Sequence, residues 1–292
     1  MKSSWRLSEN RIGQFWLGLV YLFLYIPLFF LIVFSFNSTR QDGVFTGFSL
    51  RWYQALLSDS RLVEGFFLSL KVALITGTLS VVLGCFAAFV LVRYRRFTGR
   101  TLFYGMVNAP LVMPEVIIGL SLLLLMVAAQ RTLGWPERGF ITIVIGHTLL
   151  GMAYATVVIQ SRLSEMDRSL EDAAMDLGCR PLQVFLLVTL PNIAPALVSA
   201  WLLTFTLSFD DVVISEFLSG PGVTTLPQVI FSYARRGVNP SIYAAATLLI
   251  AAVSLGILAY GIYVMRQQKR QDLKISAAAQ PEPAFPDTVA AK

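Results

Sequence analysis

Residues 169–191, SLEDAAMDLGCRPLQVFLLVTLP, form a charged island between two apolar runs, each long enough to cross a bilayer. Ser169 followed three residues later by Asp172 reads as an acidic variant of the capping box that opens a helix. Gly178 falls where a left-handed cap would close it. Leu170, Ala173, Ala174 and Leu177 recur at i, i+3, i+4 and i+7, which makes one side of this helix an apolar stripe. Glu171, Asp172 and Asp176 are then expected on its wetter faces. Arg180-Pro181 suits the start of a second helix, with Pro at its first position, that ends before Pro191. The pattern alone fits two roles: a docking surface for another protein, or an amphipathic helix lying on lipid.

Composition decides the solvent. The chain is 56% hydrophobic and only 14% charged, with a mean hydropathy of +0.68, far from a soluble average and typical of an integral membrane protein. The net charge of +6 comes from basic residues beside apolar spans rather than from one patch. The positive-inside rule explains it without nucleic acid as a partner. Cys85 and Cys179 are far apart in sequence and indicate no disulfide framework. The lone histidine, His147, lies in an apolar run where packing or hydrogen bonding is expected of it; no metal site is indicated.

The apolar runs predict an all-α membrane protein of six transmembrane helices, at residues 15–36, 66–92, 101–129, 140–160, 192–218 and 241–265. The first is followed by no small-residue cleavage site and reads as a retained span. Arg51-Trp52-Tyr53 and the leucines after it suggest a short surface helix facing the periplasm. The third span is interrupted by Pro110 and Met113-Pro114, so a kink near a packed or watery interior is expected. Gly220-Pro221-Gly222 breaks the chain after the fifth span, and Asn239-Pro240 caps the sixth. Placing both termini in the cytoplasm puts most of the 23 Lys and Arg on inner segments, Arg93, Arg95, Arg96 and Arg100 foremost. Residues 1–14 are then a cytoplasmic N-terminus, 15–265 a single membrane domain with inner loop 161–191, and 266–292 a disordered tail of Ala/Pro-rich composition.

Asp172-Ala173-Ala174, then Gly178, then Val188-Thr189-Leu190-Pro191 resembles the EAA loop of ABC-importer permeases, with matching spacing throughout. Asp172 stands where that family has Glu, and Val188 where it has Ile. The resemblance implies a type I ABC-importer permease fold in the inner membrane. It also implies a coupling helix in which Glu171, Asp172, Ala173, Ala174, Leu177 and Gly178 meet a separate cytoplasmic ATPase. No Gly-x-x-x-x-Gly-Lys-[Ser/Thr] stretch is present, and loop 161–191 is too short for a nucleotide-binding domain. The chain itself is therefore expected to carry no cofactor and no catalytic residue, with ATP and Mg bound by a partner ATPase dimer.

Acidic residues inside spans are costly and mark functional sites by default. Glu115, Asp210, Asp211 and Glu216 are such residues. Adjacent positions on a helix point about 100° apart, so Asp210, Asp211 and Glu216 cannot all line one pore unless the helix unwinds. Three runs, 109–117 (APLVMPEVI), 201–215 (WLLTFTLSFDDVVIS) and 219–227 (SGPGVTTLP), resemble bacterial polyamine-importer permeases. That narrower resemblance implies import of putrescine or a related polyamine. It also implies a homologous second permease subunit, a periplasmic polyamine-binding protein and a surround of membrane lipid. On this reading Asp210, Asp211 and Glu115 pair with ammonium groups along the substrate pathway, and Phe209, Phe205 and Trp201 add cation–π attraction. Two rivals remain from residues alone: an ion-coupled secondary transporter of a small organic cation, and a membrane aspartyl hydrolase. The second suffers because neighbouring aspartates on a helix do not face each other.

Overall fold

Among the described residues, five helices are long and apolar enough to cross a bilayer: Gly13–Ser35, Ser60–Arg93, Glu115–Leu133, Phe140–Glu165 and Pro181–Asp210. A further apolar stretch, Pro240–Gly256, opens the last helix. The computed structural model describes residues 3–39, 44–94, 96–236 and 240–278. In chain order the helices are α1 (Ser3–Ser35), α2 (Arg51–Ser58), α3 (Ser60–Arg93), α4 (Arg100–Val112), α5 (Glu115–Leu133), α6 (Phe140–Glu165), α7 (Ser169–Asp176), α8 (Pro181–Val184), α9 (Leu190–Asp210), α10 (Val213–Leu218), α11 (Leu226–Arg235) and α12 (Pro240–Ala278). A π turn, Phe185–Thr189, joins α8 to α9 without a break.

Several boundaries differ from those read from sequence, each for a local reason. The expected span at 101–129 is two helices. Pro114 forces the preceding residue out of the helical region, and Met113 is extended with ψ 138°. Pro110, by contrast, is accommodated inside α4. The second loop helix does not stop before Pro191 but runs through it into the fifth span. The π turn, in which the Leu190 N–H reaches back to the Phe185 carbonyl, widens the helix just ahead of the proline ring. The fifth span ends at Asp210 rather than 218, because Asp211 is extended with ψ 131°. Helix α11 occupies a stretch read as loop; Thr225 and Gln228 form its capping box and Pro227 sits in its first turn. Helix α12 continues to Ala278, well into the segment read as a disordered tail. Asn239, read as a cap, lies outside the described residues.

Two compact units make up the chain: Met1–Ala55 with Asn239–Lys292, and Leu56–Val238. In the first, α1 packs on α12. Beyond α1 the chain folds around buried Asn37, whose side-chain N–H donates to the Val44 carbonyl at 2.7 Å, while Trp52 Nε1 donates to the Asn37 carbonyl at 2.7 Å. The apolar side chains of α1 from Phe15 to Phe30 face outward. Hydrocarbon rather than water is the solvent for such a surface.

The second unit is built on α3, α6 and α9. The buried face of α3 is a stripe of small residues: Gly65, Ser69, Ala73, Gly77, Ser80, Gly84 and Ala88. Lipid supplies no hydrophobic drive between helices, so close backbone approach has to supply the attraction. A Cβ on Gly84 would stand 2.8 Å from the Ala155 Cβ and 3.0 Å from the Thr156 nitrogen, and one on Gly151 would meet the Ser80 hydroxyl. Gly84→Leu is therefore expected to destabilise the purified chain by about 1–3 kcal/mol through overpacking. Gly105→Leu, where no atom lies within 4 Å, is the matched control. Thermal unfolding of the two variants in detergent checks this, and equal stability would refute it.

Candidate functional site

The two interruptions in the membrane helices open onto the same space. A cavity of about 350 Å³ is lined by Glu115 just after the α4–α5 break and by Asp210, Asp211, Val212 and Val213 around the α9–α10 break. His147 and Gly151 of α6 and Thr204 and Ser208 of α9 complete its polar wall. Leu150, Leu207 and Ile214 make the remainder apolar. The helix does unwind, as a shared pore requires, but for two acids rather than three. Glu216 turns away and accepts a hydrogen bond from Gln228 Nε2 at 3.1 Å.

The adjacent aspartates have different surroundings. The Asp211 side chain is 9% exposed, and its carboxylate accepts from the backbone N–H groups of Ile214 (3.3 Å) and Ser215 (2.8 Å), the loose donors at the start of α10. It also lies 3.0 Å from His147 Nε2, which is 3.1 Å from Ser215 Oγ, while His147 Nδ1 is 2.7 Å from Ser208 Oγ. A carboxylate only accepts, so Nε2 carries a proton, and in a neutral ring Nδ1 accepts from the Ser208 hydroxyl. His147 thus has the hydrogen-bonding role expected of it. Asp211 is a structural hub. Asp210 and Glu115, in contrast, are exposed to the cavity with no side-chain partner among the described residues.

The aromatic residues expected on the substrate pathway stand elsewhere. Trp201, Phe205 and Phe209 stack at one-turn intervals, with centroids 5.3 and 5.9 Å apart. The row packs against α3, where Trp201 Nε1 donates to Thr78 Oγ1 and Phe209 meets Phe66 edge-on. None of the three lines the cavity. Positions 201, 205 and 209 share a helix face that is turned from the 204/208 face, a separation that helical periodicity alone could have shown.

At the loop, α7 starts differently from the sequence reading. Asp167, not Ser169, supplies the cap: its Oδ1 accepts the Ser169 N–H at 3.0 Å. The Ser169 backbone N–H and hydroxyl hold this carboxyl below the usual carboxylate range. The far end is a Schellman motif. Gly178 has φ +87°, the Cys179 N–H reaches the Ala174 carbonyl at 3.1 Å, and the Gly178 N–H reaches that of Met175 at 2.9 Å.

Leu170, Ala173 and Leu177 form an exposed stripe, with Leu177 87% exposed and Asp172 and Asp176 beside it. Ala174 is buried on the opposite side. Glu171 does not take the wetter face predicted for it. Its Oε1 accepts from Arg93 Nη2 at 2.8 Å and from Thr189 Oγ1 at 2.6 Å, with side-chain exposures of 10% for Arg93 and 13% for Glu171. One carboxylate thus joins the loop helix to the end of α3 and to the π turn before α9. Sequence reasoning passed over Arg93, counted there with the basic loop, and Thr189. The signal available was that Arg93 directly ends an apolar run.

The chain is similar to known proteins over most of its length. Residues 80–271 match the family model described as the binding-protein-dependent transport system inner membrane component. The chain is 49% identical over 276 residues to the putrescine transport system permease protein PotI of Escherichia coli K12, covering 94% of this chain and 95% of that protein. It is 36% identical over 261 residues to the spermidine/putrescine transport system permease protein PotC of Haemophilus influenzae, covering 89% and 99%. Among solved structures, a chain of a bacterial ABC transporter involved in alginate import superposes with a TM-score of 0.67 at 17% identity, covering 91% of this chain and 98% of that one. A chain of the MetNI methionine ABC transporter gives 0.57 at 19% identity, covering 70% and 95%. These likenesses, together with the apolar spans, identify a multi-pass transport subunit rather than an enzyme. The chain belongs to the family of inner membrane components of binding-protein-dependent transport systems, the permeases of ABC importers.

Proposed function

We propose that this chain is one of two permease subunits of an inner-membrane ABC importer that carries putrescine or a related polyamine into the cytoplasm. The observation that carries the reading is the cavity at the two helix breaks. It presents two unpaired carboxylates, Asp210 and Glu115, beside apolar side chains. A linear diamine has the complementary chemistry: ammonium groups for the acids and a methylene chain for Leu150, Leu207 and Ile214. The similarity to the two polyamine permeases supports the same substrate class.

In the proposed cycle a periplasmic binding protein delivers the polyamine, and a homologous permease subunit completes the pathway. A dimer of ATPase subunits binds ATP and Mg and holds the exposed Leu170–Ala173–Leu177 stripe, with Asp172 and Gly178 at its margins. Closure of that dimer moves α7, and the Glu171 contacts pass the movement to α3 and α9. Asp211 sets the geometry of the site without contacting substrate.

Uptake of labelled putrescine by proteoliposomes holding the whole complex, with ATP enclosed, tests the cavity. Asp210→Asn is expected to raise KM roughly 10- to 150-fold, the loss of a charge-assisted contact of about 1.5–3 kcal/mol, while the complex still assembles. Asp211→Ala is expected to lower the stability of the chain itself by about 1–3 kcal/mol, because it strands the α10 donors and His147. Unchanged uptake by the Asp210 variant, or uptake independent of ATP, would refute the reading.

The coupling surface is tested separately. Leu177→Asp is expected to abolish co-purification of the ATPase with the fold intact. Glu171→Gln is expected to retain the ATPase but lose transport, and to destabilise the chain by about 3 kcal/mol by breaking a largely buried pair. The reverse pattern, ATPase lost in the Glu171 variant and retained in the Leu177 variant, would show that the docking face is assigned wrongly.

A further inference from the structure

The end of the bundle that carries α7 holds a second polar cavity, of about 480 Å³, lined by Leu91, Val92, Arg93, Arg100, Gln160, Ser164, Met166 and Arg168. Three of its walls are guanidinium groups, and its lining contains no carboxylate. Arg100 Nη2 donates to the Leu91 carbonyl at 3.4 Å and Arg168 Nη2 to the Val92 carbonyl at 3.1 Å, so both cap the last turn of α3. Arg93 spends one donor on Glu171, and its Nε is buried with no acceptor among the described residues.

Charge and donors are therefore both in surplus. A guanidinium has five N–H donors, and each of these arginines has a single donating nitrogen engaged. Among the described residues, the one carboxylate ion-paired with any of these three cations is Glu171, which Arg93 shares with Thr189. The side-chain amide of Gln160 and the hydroxyl of Ser164 add neutral hydrogen-bonding groups to the wall. Multidentate arginine forks beside small polar groups match the oxygens of a phosphate.

The surroundings favour a phosphate at the edge of the bilayer. The cavity lies where α3 ends and α4 begins, at the boundary of two apolar helices. On α4, Tyr104 stands one turn beyond Arg100 on the same side of the helix and is 49% exposed. Basic pockets at the cytoplasmic ends of membrane helices hold acidic headgroups on these physical grounds.

We propose that this cavity binds a phosphate-bearing anion, the headgroup of an acidic phospholipid of the cytoplasmic leaflet. Bound there, the phosphate neutralises the surplus cations, satisfies the guanidinium donors and braces Arg93 against Glu171, the contact through which α7 is tied to α3.

The test is native mass spectrometry of the full chain released from nanodiscs of phosphatidylethanolamine containing a minority of phosphatidylglycerol. Retention of phosphatidylglycerol roughly tenfold above its share of the bilayer is expected. R100Q/R168Q should abolish that enrichment, and Arg131→Gln, away from the cavity, should not. The wild-type arm stands alone if the double variant fails to fold. A parallel arm adds inorganic phosphate to chain in pure phosphatidylethanolamine: a rise in thermal stability without lipid enrichment supports the site and assigns it to free phosphate. No enrichment together with no response to phosphate overturns the proposal, as does enrichment that survives in a folded R100Q/R168Q chain.

Discussion

A helix interrupted inside hydrocarbon must satisfy its own loose ends, because no water is present to do so and each unmet backbone group costs several kcal/mol. Helix α10, only six residues long, shows how much side-chain chemistry that demands. Asp211 accepts the donors at its start, and Thr142 Oγ1 at 2.7 Å and Arg138 Nη2 at 3.2 Å serve the Leu218 and Phe217 carbonyls at its end. Without these partners the break after Asp210 would be unaffordable, and the cavity would be filled by continuous helix. The site exists because the break is capped.

This constraint also separates two neighbouring, chemically identical residues. Asp211 directs its lone pairs to α10 and His147, so few of them remain available to a ligand. Asp210, one residue earlier and still helical, has no such duty and keeps its carboxylate in the cavity. Glu115 holds a comparable position across the space, in the first turn of α5, where the helix dipole favours a negative charge. A carboxylate left unpaired at a membrane helix break is costly, and occupancy by a cation is the physical condition that offsets the cost.

Much of this was legible in the residues, and most of what was not has one cause. The spans, the kink at Met113-Pro114, the Gly178 cap and the exposed stripe of α7 follow from local rules of hydropathy, proline geometry and periodicity. Local signals were also overlooked, such as the Asp167 cap and the Thr225/Gln228 box, but the polar residues whose use changed depend largely on partners distant in sequence. Glu171 looked solvent-facing until Arg93 and Thr189 were seen around it. The donors that Asp211 serves lie beyond a break that hydropathy does not register, and on His147, 64 residues away. Residues 201, 205 and 209 looked like a cation path because composition is blind to which face of α9 packs on α3. Short-range physics writes the elements plainly, whereas the use of each polar side chain is settled by whichever partner the fold delivers.

Those long-range partners also show how the two ends of the molecule communicate. From Pro181 to Asp210 the chain is one uninterrupted helical rod of 30 residues, about 45 Å long. It begins three residues after the Gly178 cap of α7 and ends at the cavity. A hydrogen-bonded rod resists compression, so displacement of its lower end must appear at Asp210 unless the rod yields. Its one irregular turn, Phe185–Thr189, is where α-helical bonding is replaced by wider π spacing, and Thr189 in that turn is bound by Glu171. The same carboxylate therefore clamps the compliant point of the rod to α7 and, through Arg93, to the end of α3. Movement of α7 is carried into two spans at once, and the helix that ends in a free carboxylate is one of them.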